Sequence, residues 1–169
     1  MNPIIRKAAI EDIPSILEIT QEAFAKYAKE AQVPGNLSAL SETYEKVEAD
    51  LKKKTVIVAI LDSRIVGTIR FEMLADKIAY ISRFAVRLDV HNCGVGKELV
   101  KAAVEHATTQ GAQIAALHTA SKMAALVRLY YGLDFYIHST ATDRGYIRAL
   151  FCRDLIDGVN INLEAIMHL

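Results

Sequence analysis

The pattern of hydrophobic and polar positions divides the chain into helical and extended segments. Apolar residues recur at helical spacing over residues 13–28, after Asp12, which suits a helix N-cap, and beside Pro14, which suits a first turn. Residues 55–61 and 65–71 are β-branched apolar runs separated by a short polar turn. These patterns predict a helix followed by a β-hairpin.

Three further segments complete the first half of the chain. Residues 4–9 predict a short strand ahead of the first helix. Ser38 or Ser41 can cap a second, strongly polar helix that ends near Lys53. Residues 78–86 predict a strand that extends the hairpin into an antiparallel meander.

The next segments predict a βαβ unit. Residues 94–110 have the apolar spacing of a helix, and Gly111 stands where a left-handed residue commonly ends one. Residues 112–118 then predict a strand. Because a strand, a crossover helix and a second strand place the two strands in parallel, this strand should lie parallel to residues 78–86.

The last third of the chain closes the sheet. Residues 122–131 predict a helix, and residues 135–140 and 146–154 predict a hairpin. Residues 155–169 leave three alternatives open, namely a short helix, an extra strand or a dimer contact. The whole pattern predicts one domain over residues 1–169 with an α/β (α+β) fold: a mixed, mostly antiparallel sheet of roughly six or seven strands, one parallel pair, and helices on both faces.

Composition and charge exclude several classes of protein. With 169 residues and 52% apolar residues, the chain can fill one substantial core. Twenty Lys and Arg balance twenty Asp and Glu, so no overall field favours nucleic acid or an anionic membrane. The start lacks an apolar leader, and we therefore expect a cytoplasmic protein. Cys93 and Cys152 have neither metal-ligand nor CxxC spacing, so neither a zinc site nor a disulfide framework is indicated.

Residues 86–97 carry the clearest chemical signal. This segment leaves a strand, turns at Gly94 and Gly96, and enters a helix. Unpaired amides at a helix start, the helix dipole and the absence of a glycine Cβ all favour a bound pyrophosphate. Glycines are also common as simple turn residues. The position after several antiparallel strands does not fit a Rossmann loop, and Lys97 lacks the glycine frame of a Walker loop.

These residues resemble the GNAT superfamily of N-acetyltransferases, whose central motif is R/Q-x-x-G-x-G/A after a strand that ends in an apolar residue and Val. Residues 84–86 are similar to that strand end, and residues 91–96 to the motif. Residues 5–8 resemble the family's first strand. Residues 129–135 resemble its Leu-Tyr-x-x-x-Gly-Phe segment. The resemblance covers nearly the whole chain in the right order.

The chain departs from this family pattern at four positions. His91 stands where Arg or Gln is usual, Leu88 replaces a Pro, Met123 replaces an Asn, and Asp134 replaces a Gly. We expect these departures to affect turnover more than cofactor binding, because backbone amides hold phosphate whatever the side chain. His91 could add a positive charge beside the pyrophosphate, and Cys93 could have a reactive thiol.

The resemblance implies acetyl-CoA as the cofactor and a primary amine as the acceptor, with a bulge that opens the sheet for the pantetheine arm. It assigns Tyr130 as the proton donor to the leaving thiolate, although a core tyrosine is an equally good interpretation. The general base that takes the proton of the amine is left open among Glu72, Tyr80, Ser82 and His118. His118 is preferred because imidazole titrates near neutral pH. The residues assigned to the cofactor are Phe84, Ala85, Val86, His91, Asn92, Cys93, Gly94, Val95, Gly96, Lys97, Met123 and Tyr130.

Two other functions remain compatible with the sequence. A domain that kept the phosphate loop but lost catalytic side chains would bind or sense acyl-CoA without turnover. A nucleotide-binding α/β domain would explain the glycine loop but not the antiparallel meander before it. The identity of the amine is not encoded in any recognisable motif, and an assembly into homodimers is left open.

Overall fold

The computed structural model describes residues 2–90 and 92–169, which form seven strands and four α-helices. Short 3-10 turns lie at Ile10–Asp12, Ser38–Ser41, Ala75–Lys77 and Glu164–Ile166. The strands and helices in chain order are β1 (Ile4–Lys7), α1 (Ile13–Glu30), α2 (Tyr44–Lys53), β2 (Thr55–Leu61), β3 (Arg64–Leu74), β4 (Ile78–Val86), α3 (Val95–Thr109), β5 (Ile114–Ala120), α4 (Ala124–Gly132), β6 (Tyr136–Ala141) and β7 (Arg148–Asp154).

All seven strands belong to one sheet in the order β1-β2-β3-β4-β5-β7-β6. Every neighbouring pair is antiparallel except β4 and β5, which are parallel and joined by the crossover helix α3. The predicted fold class is confirmed, including the meander and the parallel pair.

Helices cover both faces of the sheet, as the alternation of side chains along β2 shows. Ile57 and Ala59 pack with α3 and α4, whereas Val56 and Val58 pack with α1 and α2. The chain after β7 covers the second face of β4, β5 and β7, where Ile166 is buried. None of the helices in the described ranges is long and apolar enough to cross a membrane.

Two local expectations differ from the structure. The second helix begins at Tyr44, not near Ser38 or Ser41, because the Thr43 hydroxyl accepts the Lys46 N–H and caps it there. The Asp12 carboxylate does not cap α1 but accepts hydrogen bonds from Arg6 and from the Ala9 N–H.

Residues 155–169 contain only the 3-10 turn Glu164–Ile166 and otherwise run as irregular chain across the sheet. They form no extra strand. Leu163 and Ile166 fill the apolar surface of β4, β5 and β7, so this segment acts as a cover for that face.

Candidate active site

The parallel strands β4 and β5 separate after only three paired positions. Pairing runs from Ile78 with Ile114 to Tyr80 with Ala116 and then stops. Two steps along β3, from Thr68 to Arg70, span three along β4, from Ala85 back to Ser82. This register shift is a β-bulge, and Arg83 within it has a φ of 52°. The bulge bends β4 away from β5 and opens a gap in the sheet.

Backbone groups of both strands face this gap instead of pairing with each other. The Arg87 N–H donates to the Val66 carbonyl of β3. Backbone groups of successive residues in a strand point to opposite sides, so the amide and carbonyl of Val86 point away from β3 and toward the gap. On the other side, the Ala120 N–H of β5 donates to the Tyr27 hydroxyl of α1 at 2.7 Å. Tyr27 therefore crosses the gap, a role that its place in the apolar stripe of a helix did not indicate.

A cavity of 320 Å³, the α1–α4 groove, leads from the glycine loop to the gap. Ala23 and Lys26 of α1 form one wall, and Leu126 and Leu129 of α4 form the other. Of the residues predicted to bind cofactor, five line this groove: Phe84, Ala85, Val86, Asn92 and Met123.

The helix α3 begins with its amides available to a ligand. Gly94 is the N-cap residue with a φ of 73°, a conformation that glycine adopts without strain. The Glu98 N–H donates to the Gly94 carbonyl as the first bond of the helix, so the amides of Gly94, Val95, Gly96 and Lys97 have no acceptor within α3. An anion placed there would also be stabilised by the helix dipole.

The side chains of this loop differ in exposure. Cys93 and Lys97 are exposed, whereas the Val95 side chain is buried in the core, so Val95 can offer a ligand only its backbone. A Cβ on Gly96 would stand 3.1 Å from the ring of Phe84, which keeps this position small. His91 lies outside the described residues, and its assignment to the cofactor remains a prediction.

A second cavity of 360 Å³, the inner cavity, continues from the groove into the gap. Phe24, Tyr27, Phe84 and Leu126 line both cavities and form the passage between them. Tyr130 lines the inner cavity at the end nearest this passage, since its ring is edge-on to Phe84 with centroids 6.4 Å apart.

Tyr130 is held by aromatic packing and is only 3% exposed. Its ring contacts Phe135 and Phe151 with centroid distances of 5.8 and 5.4 Å. Burial raises the pKa of the Tyr130 hydroxyl, and the nearby Tyr27 raises it further. The phenol therefore stays protonated at neutral pH and keeps a proton to donate.

His118 lies in the inner cavity with both ring nitrogens engaged. The Tyr80 hydroxyl donates to Nδ1 at 2.6 Å, and Nε2 donates to the Met167 carbonyl at 3.0 Å, which assigns the proton to Nε2. Desolvation lowers the pKa of His118 to about 4, and the charge of Arg148 adds to this effect. His118 is neutral at physiological pH.

The other two residues considered as bases lie in different environments. Ser82 lines the inner cavity beside the bulge. Glu72 does not line it, and its carboxylate pairs with Lys53 and Lys54 at 3.4 and 4.0 Å. The geometry therefore brings Tyr80, Ser82 and His118 together and leaves Glu72 outside.

Behind the bulge, a buried ionic network fixes Arg83. Glu42 accepts from both Arg70 and Arg83, and Arg70 also donates to Asp50 at 2.9 Å. The side chains of Arg70, Glu42 and Asp50 are 0%, 2% and 3% exposed. Sequence reasoning missed this network, although an Arg inside the β-branched run of β3 was a signal that a buried charge needed partners.

The glycine turn, the bulged strand and the opened parallel pair together define the acetyltransferase fold. Residues 14–135 match the Acetyltransferase (GNAT) family. The chain therefore belongs to this family. No curated protein matches it by sequence.

Several solved structures share the fold at low sequence identity. The PaiA N-acetyltransferase of Thermoplasma acidophilum, in complex with coenzyme A, is 19% identical with a TM-score of 0.78, over 91% of this chain and 99% of that one. YncA, a putative acetyltransferase of Salmonella typhimurium with acetyl-CoA, is 16% identical with a TM-score of 0.75, over 96% and 99%. The ribosomal-protein-S18-alanine N-acetyltransferase of Escherichia coli is 15% identical with a TM-score of 0.72, over 95% and 99%.

Proposed function

We propose that this protein is an N-acetyltransferase that transfers the acetyl group of acetyl-CoA to a primary amine by direct attack. The observation that carries the proposal is that the α1–α4 groove, which is lined by Asn92 two residues before the N-cap of α3, shares four lining residues with the inner cavity. In the reaction the amine nitrogen forms a bond to the acetyl carbon, the carbon–sulfur bond breaks, and the sulfur leaves with the electron pair.

The chain offers matching surfaces for the pyrophosphate and for the pantetheine arm of acetyl-CoA. The amides of Gly94 to Lys97 suit the pyrophosphate, since helix starts favour anions. The apolar groove between α1 and α4 suits the pantetheine arm, with the outward amide and carbonyl of Val86 as backbone partners. These contacts support the predicted cofactor residues, whose assignment is part of the proposal.

Two proton transfers are assigned to residues of the inner cavity. The Tyr130 hydroxyl would donate a proton to the leaving sulfur, because it is protonated, buried and close to the passage. On the acceptor side, the Tyr80 oxygen would take the amine proton while its own proton passes to Nδ1 of His118. His118 would then carry a short-lived positive charge, since its pKa of about 4 returns the proton readily.

Ligand binding and turnover test the proposal separately. Acetyl-CoA and CoA are expected to raise the melting temperature, whereas ATP and NAD are not. Release of free CoA thiol is then followed against a panel of primary amines. Stabilisation by ATP or NAD instead would contradict the proposal. If acetyl-CoA bound but none of the amines in the panel caused release of CoA thiol, an acyl-CoA-binding module would be favoured.

Acetyl-CoA is expected to protect Cys93 from alkylation by iodoacetamide. Cys93 is exposed directly before Gly94, so a pyrophosphate on the α3 amides would cover it. At about ten times Kd only about a tenth of the protein is unbound, and the alkylation rate should fall about tenfold. Mass spectrometry of the labelled peptides measures both rates.

Cys152 provides the internal control for this experiment. It is fully buried, and desolvation raises its pKa to about 12, so it should remain unlabelled in either state. An unchanged rate at Cys93 in saturating acetyl-CoA would place the pyrophosphate elsewhere.

A further inference from the structure

The passage between the two cavities has a single polar side chain among the residues that the structure describes. The residues that line both the α1–α4 groove and the inner cavity are Phe24, Tyr27, Phe84 and Leu126. Only Tyr27 among them carries a hydrogen-bonding group. In the proposed reaction the pantetheine arm fills the groove and the amine enters from the inner cavity, so the thioester lies at this passage. The Tyr27 hydroxyl therefore stands where the two substrates meet.

The Tyr27 hydroxyl is held in place by the main chain of β5. The Ala120 N–H donates to it at 2.7 Å, and Ala120 is 1% exposed. Because a backbone N–H can only donate, the Tyr27 oxygen is the acceptor and its own proton is not used in this bond. The ring also packs against Phe24, with centroids 5.8 Å apart. Accepting one hydrogen bond makes a hydroxyl a stronger donor of another, so the contact with Ala120 both positions and strengthens Tyr27.

Two further hydroxyls lie near that of Tyr27, on Tyr130 and Tyr146. Burial raises the pKa of both, and Tyr27 raises each of them further. For Tyr146 a hydrogen bond with Tyr27 contributes to the raised pKa. A hydrogen bond raises the pKa of the phenol that donates it, so Tyr146 is a second donor to the Tyr27 oxygen. The proton of Tyr27 is left for another acceptor, close to the hydroxyl assigned to the leaving sulfur.

Direct attack of an amine on a thioester places negative charge on the acetyl oxygen. The amine nitrogen forms its bond to the acetyl carbon, and the electron pair of the carbonyl double bond moves to the oxygen. When the double bond re-forms, the carbon–sulfur bond breaks, and the sulfur takes that electron pair and the proton of Tyr130. A hydrogen-bond donor fixed beside the acetyl oxygen lowers this barrier. Tyr80, His118 and Tyr130 move protons in the proposed reaction, and none of them is assigned to this oxygen.

We propose that Tyr27 is a further catalytic residue, whose hydroxyl donates a hydrogen bond to the acetyl oxygen of acetyl-CoA and stabilises the oxyanion formed during transfer. Two charged donors in the wall of the inner cavity are engaged elsewhere. Arg83 pairs with Glu42, and Arg148 donates to the main-chain oxygen of Leu169. The assignment rests on the proposed acetyl transfer and adds the group that acts on its third reacting atom, after nitrogen and sulfur.

Tyr27→Phe tests the contact first without turnover. Acetyl-CoA labelled with ¹³C at the acetyl carbonyl is bound in the absence of an amine, and isotope-edited infrared spectra give the stretching frequency of that carbonyl. A hydrogen bond weakens the carbonyl bond, so we expect the band at a higher frequency in Tyr27→Phe than in the wild-type protein. A fluorotyrosine at position 27, which keeps both hydrogen bonds and donates more strongly, should shift the band to lower frequency. A donor to the sulfur alone would not produce these shifts.

Kinetics test the same residue in the reaction. We expect Tyr27→Phe to lower kcat about 100- to 1000-fold, as the loss of one oxyanion donor does, while the KM for acetyl-CoA changes little. Tyr136→Phe is the matched control, because the Tyr136 hydroxyl also donates a hydrogen bond, to Asp154 at 2.9 Å, but lines neither cavity. It should keep the wild-type kcat and carbonyl band. Circular dichroism and CoA binding report that each variant is folded.

The two measurements separate this assignment from acetyl transfer itself. A carbonyl band that Tyr27→Phe leaves unchanged would overturn the assignment, even if kcat fell, because Tyr27 would then support the structure or the sulfur only. A kcat within a few-fold of wild type would overturn it as well. A shifted band in a protein that releases no CoA with any amine would retain the contact and contradict acetyl transfer. Rapid transfer by Tyr27→Phe with an unchanged band would retain acetyl transfer alone.

Discussion

Replacing Tyr130 with Phe is expected to lower kcat about 100-fold while the KM for acetyl-CoA changes little, because positioned proton donors contribute about that factor. The variant keeps the ring that packs against Phe84, Phe135 and Phe151 and removes only the hydroxyl. Steady-state kinetics with a saturating amine measure the change. Thermal unfolding checks that the aromatic packing is intact.

Tyr131→Phe is the matched control for this substitution. Tyr131 is on the same helix but is 51% exposed and does not line the inner cavity. It should retain wild-type kcat. If Tyr130→Phe also retained it, Tyr130 would be a core residue only, the alternative interpretation that an amphipathic helix always allows.

Replacing Glu42 with Gln is expected to reduce the free energy of unfolding by about 3 kcal/mol at neutral pH, because it leaves buried positive charge without its main partner. Arg70, which is fully buried, would keep only Asp50, and Arg83 would lose its carboxylate. Urea unfolding followed by circular dichroism measures the loss.

The destabilisation should depend on pH with a defined sign. Burial alone would raise the pKa of Glu42, but the hydrogen bond from Arg70 and the charges of Arg70 and Arg83 hold it below its usual value. A carboxylate with a lowered pKa stabilises the fold above its unfolded pKa of about 4, and this contribution is lost as pH falls further. The difference between wild type and Glu42→Gln should therefore shrink in acid.

The exposed Glu45 of α2 serves as the control for the ionic network. Glu45→Gln should change the free energy of unfolding by less than about 0.5 kcal/mol, as surface substitutions usually do. If Glu42→Gln had an equally small effect, the network behind the bulge would not hold the fold together.

The order and pairing of the helices and strands could be predicted from the sequence, because each element has its own local spacing of hydrophobic residues. The β-branched runs indicated β2 and β3, the next extended segment indicated β4, and the helix between residues 94 and 110 required a parallel return strand. One of the departures from the family pattern also has a local explanation. Asp134, where the resemblance expects Gly, has a φ of 67°, a conformation that Asp tolerates better than most residues.

The groups that face each other across the site could not be predicted in the same way. Glu42 and Arg70 are separated by 28 positions, and Tyr27 and Ala120 by 93, so their pairing depends on how distant elements pack. The environment of His118 has the same origin. A histidine at a strand end indicated a base that titrates near neutral pH, but burial, together with the charge of Arg148, lowers the pKa of His118 to about 4.

The two walls of the gap are held apart independently of any ligand. β4 is fixed along its outer side by β3, and β5 is paired with β7 from Ile114 to Ala120. Association with a thioester substrate therefore requires little ordering of the backbone, and the entropic penalty of binding falls mainly on the substrate's flexible arm. This scaffold is preorganised, and we expect amide exchange in β5 to be slow both before and after the cofactor binds.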